Sequence, residues 1–249
     1  MLTSAPKRLL AYGVLGALAT VTAVGCSRGD DHVKYSVPTA TSGSDFLVAP
    51  VEPTVAQLTA GLLPATAFAS DASVKPADPA TFSELGAAPV PADSTLSPAT
   101  CAGGFGALVP DIGSAQVAVA QTATTSGSVT SEVIADGSAL AAGHRATFDD
   151  FSKSCTSIDL TNADGSSVQV TLAALHLPRI GKQARGINAT LTFVAADGSR
   201  SVVPTTYGAV LDGDRLVVLQ EVSLGGQSID TGAFTSLLTK AYDAQREIP

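Results

Sequence analysis

Cys26 closes the run Ala23-Val24-Gly25-Cys26, and the apolar stretch from Leu9 to Val24 before it follows two cations, Lys7 and Arg8. This is the arrangement of a bacterial lipoprotein signal, in which cleavage falls before the cysteine and the freed thiol is acylated. Two plainer readings compete, an ordinary secretory signal and a membrane-spanning helix. The apolar run falls short of the roughly 20 residues that a span requires. A cysteine placed directly after small residues, in a chain with only three cysteines, favours acylation over simple secretion. The expected chemistry is therefore a thioether to a diacylglyceryl group carrying palmitate-like chains. Two or more chains give stable attachment, where one gives only marginal binding. Residues 1–25 are read as the signal peptide, and the mature protein is expected to be lipid-anchored on the extracytoplasmic face of the cell membrane.

The two remaining cysteines, Cys101 and Cys155, would lie in an oxidising compartment, so they predict one disulfide bond with a single possible connectivity. A metal site is the competing use, but no histidine stands at ligand spacing from either cysteine, and no metal or other cofactor is implied.

The segment from His176 to Gly186 gathers His176, Arg179, Lys182 and Arg185 into one loop that also contains Pro178 and Gly181. Guanidinium forks match phosphate and carboxylate groups, so this loop is the candidate ligand-binding site, for a small envelope ligand or an acidic envelope protein. The plainer account is that the cations solvate a hairpin loop and discourage edge pairing. His144 falls on an apolar helical stripe and reads as a hydrogen-bonded histidine at the core boundary. The adjacent Asp149 and Asp150 point in different directions on a helix and read as a solvated face. The chain lacks a G-x-S-x-G elbow, an H-E-x-x-H pair, a C-x-x-C pair and a G-x-x-x-x-G-K loop, and its one S-x-x-K, Ser4 to Lys7, lies in the signal. The expectation is a protein that is not an enzyme.

These candidates need a scaffold. The chain carries a net charge of −8, and removal of residues 1–25 takes two cations and no acid, deepening it to −10. So acidic a domain stays soluble and disfavours phosphate backbones, which argues against nucleic acid as a partner. Residues 26–54 are rich in Ser, Thr, Pro and charge with no sustained period, the composition of a tether that spans about 30 Å as a flexible coil. Residues 55–249 are read as a single domain.

Within that domain, Val55, Leu58, Leu62 and Leu63 predict a short helix capped by Thr54 and stopped by Pro64. Residues 70–100 hold five prolines and predict an irregular loop, either with a short helix around Phe82 to Leu85 or as a surface excursion. Val117 and Val119, then Ser126-Gly127-Ser128, then Val129, Val133 and Ile134 predict a hairpin. Leu140, Ala141, His144, Phe148 and Phe151 form one helical stripe after Ser138, ending near Cys155. Asp164-Gly165, Asp197-Gly198 and Asp212-Gly213 mark tight turns in a meander of five strands: Ile158 to Leu160, Val168 to Leu175, Ile187 to Val194, Val202 to Leu211 and Leu216 to Val222. In the third of these, Ile187, Ala189, Leu191 and Phe193 share the covered face, and Asn188, Thr190 and Thr192 the wetter one. A final helix follows Asp230, with Phe234, Leu237, Leu238, Ala241 and Tyr242 on one stripe. The fold class is α+β, a mainly antiparallel sheet with helices packed on one face.

Leu62-Leu63-Pro64 at the end of the first helix, Cys101-Ala102-Gly103 after a Pro-rich loop, and the helix ending Phe151-Ser152-Lys153-Ser154-Cys155 resemble one family. It is the extracellular sensor domain found on certain actinobacterial serine/threonine kinases and on free-standing envelope lipoproteins. The resemblance covers roughly residues 55–246. It implies a binding cleft and a sensing or recruiting role without catalysis. The family commonly has two disulfides and frequent tryptophans, whereas this chain has one cysteine pair after Cys26 and no tryptophan. Two functions fit the reading: a sensor-like binding module, or a lipid or glycolipid carrier sheltering acyl chains between the sheet and the helices Leu140 to Phe151 and Phe234 to Tyr242. A carrier needs a continuous apolar cavity, whereas a sensor cleft is smaller and more polar.

Overall fold

Alternating β-branched and small residues, punctuated by Asp-Gly pairs, build the sheet at the centre of the described residues. A computed structural model describes residues 53–82, 93–102, 112–137 and 151–248. The strands are β1 (Ser73–Ala77), β2 (Thr95–Ser97), β3 (Val117–Thr124), β4 (Ser128–Asp136), β5 (Ser157–Thr161), β6 (Ser167–Ala174), β7 (Gln183–Val194), β8 (Arg200–Asp212) and β9 (Arg215–Ser223). They form one antiparallel sheet in the order β1-β3-β4-β9-β8-β7-β6-β5-β2. The five predicted meander strands are all present as β5 to β9, and the predicted hairpin is β3–β4. The meander returns to the hairpin through β9 beside β4, so a single sheet carries both.

Two of the turns show why Asp-Gly works. Gly165 and Gly198 sit at φ +83° and +82°, a left-handed conformation that glycine adopts without steric cost. The Oδ1 atoms of Asp164 and Asp197 each accept the backbone N–H two residues on, from Ser166 and Ser199, at 2.9 Å. These bonds and those of the serine side chains hold both aspartates below the usual carboxylate range.

The expectation of an irregular loop over residues 70–100 is corrected. Ser73–Ala77 pairs with β3 and Thr95–Ser97 pairs with β5, so this segment supplies both edges of the sheet. Each strand is short and carries a proline, Pro76 within β1 and Pro98 just after β2, as suits an edge where one row of backbone groups needs no partner. Of the short helix expected around Phe82 to Leu85, residues 80–82 are helical and the rest lies outside the described residues.

Helix α1 (Val55–Ala60) begins at a capping box: Gln57 N–H donates to Thr54 Oγ1 at 3.2 Å, and Thr54 N–H donates to Gln57 Oε1 at 2.8 Å. Helix α2 (Thr231–Arg246) starts at Asp230, whose Oδ1 accepts from Gly232 and Ala233 N–H. Its stripe Phe234, Leu238, Ala241, Tyr242 and Gln245 is buried, at the i, i+4, i+7, i+8 spacing of one helix face.

Both faces of the sheet are covered. Leu58 of α1 packs on Val119 and Ile134, and α2 packs on Val210, Val217 and Leu219 of the same face. The opposite face carries Val133, Ile158, Val170, Leu172, Ile187, Ala209 and Val218. Against these sit Phe82, Ile112, Phe151 and the bridge Cys101–Cys155. Helical residues 151–154 contribute Phe151 to the face away from α1 and α2, so the described residues do not bear out helices on a single face. The remainder of the helix predicted from Ser138, including Leu140, Ala141, His144, Phe148, Asp149 and Asp150, lies outside the described residues. So do Cys26 and the 1–25 signal, and the 26–54 tether apart from Pro53 and Thr54.

The disulfide joins Cα atoms 5.9 Å apart across a separation of 54 residues. Cys101 ends the 3-10 turn Ala99–Cys101 beyond β2, and Cys155 stands two residues before β5, so the bridge staples the strand pair at the β2 edge of the sheet. A loop of this size gives about 4 kcal/mol of stabilisation on the chain-entropy account.

Candidate functional site

The loop between β6 and β7 is held down by its apolar residues. Ile180 is buried against Val210 and α2, with Leu175 and Leu177 half-buried beside it. Gly181 follows at φ +58°, and a Cβ there would stand 2.7 Å from Val210 Cγ1 and 3.2 Å from the Tyr242 ring. Only glycine lets the backbone lie on that ring. The clamped loop and the last turns of α2 enclose an open, polar depression of about 440 Å³, lined by Arg179, Ile180, Gly181, Lys182, Asp212, Thr239, Tyr242, Asp243 and Arg246.

Asp212, at the end of β8, organises this depression. Its Oδ2 accepts the Tyr242 hydroxyl at 2.6 Å, and its Oδ1 lies 3.3 Å from Lys182 Nζ. The tyrosine hydrogen bond, aided by Lys182, holds the Asp212 carboxyl below the usual range, and the same bond pushes the Tyr242 phenol up. The Arg246 guanidinium lies 5.7 Å from the centre of the Tyr242 ring, within cation–π range. Arg179 is exposed, and among the described residues no ion pair holds it.

A second depression of about 280 Å³ adjoins the first through Asp212 and Arg246. Its Arg215 is committed, with Nε on Asp136 Oδ2 at 3.1 Å and one terminal nitrogen on the Gln245 carbonyl and Oε1 at 3.2 Å. These bonds fasten the end of α2 to the β4–β9 pair and leave Arg215 a structural anchor.

The loop cations predicted as one site are divided. Arg179 and Lys182 line the depression. Arg185 opposite Ala209 belongs by register to the other face of the sheet, where one guanidinium nitrogen donates to the Ala184 carbonyl at 2.9 Å. His176 is exposed and is not part of the lining. Asp212, Tyr242 and Arg246 were not foreseen as site residues. Asp212 reads in sequence as half of a turn signal and Tyr242 as an apolar stripe position, and no spacing rule joins residues 30 positions apart.

A Cβ on Gly208 would stand 2.7 Å from Leu238 Cδ2 and 3.0 Å from Phe234 Cε1, so α2 lies directly on the sheet. On the opposite face the Tyr207 hydroxyl is buried without a hydrogen-bond partner among the described residues, and burial raises its phenol. Among the described residues no group of His, Cys, Asp and Glu could hold a metal ion, and no helix is long and apolar enough to cross a membrane.

No protein family matches the chain by sequence, and no curated protein does. Among solved structures it is similar to the extracellular domain of PknH from Mycobacterium tuberculosis, with a TM-score of 0.49 and 16% identity over 78% of this chain and 97% of that one. It is also similar to an uncharacterized Mycobacterium smegmatis protein, the Rv0999 ortholog, with a TM-score of 0.48 and 17% identity over 77% of this chain and 95% of the other. Neither likeness is close enough to carry a functional argument.

Proposed function

We propose that the chain is a lipid-anchored cell-envelope protein whose 55–249 domain is a non-catalytic, sensor-like module that binds an anionic ligand or partner. The anchor is Cys26, and the working location is the extracytoplasmic face of the membrane. The observation that carries the binding reading is the depression beside α2, lined by Arg179, which has no ion pair among the described residues, by Lys182 of the same loop, clamped through Ile180 and Gly181, and by Arg246 of α2. Clamping matters because a preorganised guanidinium loses less freedom on binding than a loose one. The ligand class is a phosphate or carboxylate, which a guanidinium and an ammonium recognise together.

The alternative, a lipid carrier, needs room between the sheet and the helices Leu140 to Phe151 and Phe234 to Tyr242, of which the first lies outside the described residues apart from Phe151. At Gly208 the second lies close on the sheet through Leu238 and Phe234, which supports the binding module on that face. The test is capture from envelope extracts with the full-length protein and with the combined variant R179A/K182A/R246A, followed by native mass spectrometry of the captured material. The proposal expects the variant to lose at least tenfold of a specific bound component. Equal capture by both proteins would retire the cationic site, and lipid bound at unit stoichiometry would replace the module by the carrier.

A further inference from the structure

Glu132 is the one acidic side chain fully buried among the described residues, at 0% exposure, on the sheet face beneath the chain that leaves α1. Leu63 N–H donates to both of its oxygens, at 3.0 Å and 3.3 Å. Gln121 Nε2 donates to Oε2 at 2.6 Å and with its other hydrogen reaches the Leu63 carbonyl at 2.7 Å. Leu63 lies two residues beyond Gly61, the C-cap of α1, and a Cβ on Gly61 would collide with Ile248. The carboxyl therefore grips the stem by which α1 and its apolar contact, Leu58 on Val119 and Ile134, are docked.

Among the described residues no cation answers this carboxyl. Residues 54–64 contain no ionisable side chain, and β3 presents Val119, Gln121 and Ala123 on this face. On β9 the residue opposite is Leu219, with Glu221 two positions along; on β4 the next acid on this face is Asp136, already bonded to Arg215. α2 buries Phe234, Leu238 and Ala241 and leaves Lys240 and Asp243 exposed. A carboxylate buried with neutral donors alone suffers a desolvation cost that protonation removes.

We infer that Glu132 is a proton-operated latch on α1, which holds the helix to the sheet when protonated and lets it undock more readily when ionised. Desolvation raises the carboxyl from 4.5 to about 7, against the opposing hydrogen bonds of Leu63 and Gln121. The docked form thus binds a proton that the undocked, hydrated form gives up between about pH 4.5 and 7. Docking is strongest below that window and weakens as pH rises through it, levelling off above about 7. Because α1 joins the domain to the stretch read as the tether, envelope pH would set how firmly the domain holds its own N-terminal helix.

The test is amide hydrogen exchange of the full chain from pH 5 to 8, corrected for intrinsic exchange, at Leu58 and Leu63, compared with E132Q. The parent is expected to lose protection at both amides by on the order of a hundredfold, whereas E132Q stays flat. A flat parent, or an E132Q variant with the same slope, would overturn the latch. Should E132Q fold poorly, the side-chain carboxyl carbon shift of Glu132 in the parent decides. A midpoint near 7 that coincides with movement of the α1 amides supports the latch, and a midpoint near 4.5 rejects it.

Discussion

Asp212 shows how little of a site one residue's own sequence context can declare. It accepts from Tyr242 on one oxygen and from Lys182 on the other, and so fixes the phenol that carries Arg246. Removing it by D212A should let the Tyr242 phenol titrate at lower pH than in the parent. Absorbance titration at 295 nm, with Y242F to isolate that tyrosine, reads the change, and an unshifted midpoint would show the bond to be unimportant. The Cys101–Cys155 pair was legible, because once Cys26 is read as acylated the two cysteines left have only each other. Glu132 was not. Within Ser131-Glu132-Val133 it reads as an ordinary polar position on an alternating strand, and only the fold lays Leu63 across it.

At the scale of elements, legibility followed the strength of local signals. The meander strands were readable because Asp164-Gly165 and Asp197-Gly198 force tight turns whatever lies around them. β1 and β2 were not readable, since strands with one partner need little apolar periodicity and draw their order from β3 and β5. The contact of α2 with the sheet yields a sharp expectation at Gly208. G208A drives a methyl group toward Leu238 and Phe234, both about fully buried, and should cost about 1–3 kcal/mol, read as a lower denaturant midpoint with an unchanged slope. An unaltered midpoint would mean that α2 shifts without penalty and that the space beneath it is larger than its contacts indicate.

For the whole molecule, the described parts form one sheet stapled at one edge by the Cys101–Cys155 bridge. Among the described residues nine strands join into one sheet because β9 returns to β4, a long-range pairing that no turn signal encodes. Both faces are covered, the edges are short, and the remaining polar features open onto solvent around α2. The acidic charge, the cysteine pair and the Ala23-Val24-Gly25-Cys26 run all fit attachment outside the membrane. Metabolic labelling with radioactive palmitate, in the parent and in C26A, tests that attachment most directly. Label on the parent alone, with C26A leaving the membrane fraction, is the predicted result. An unlabelled parent recovered uncleaved from the cytosol would contradict it.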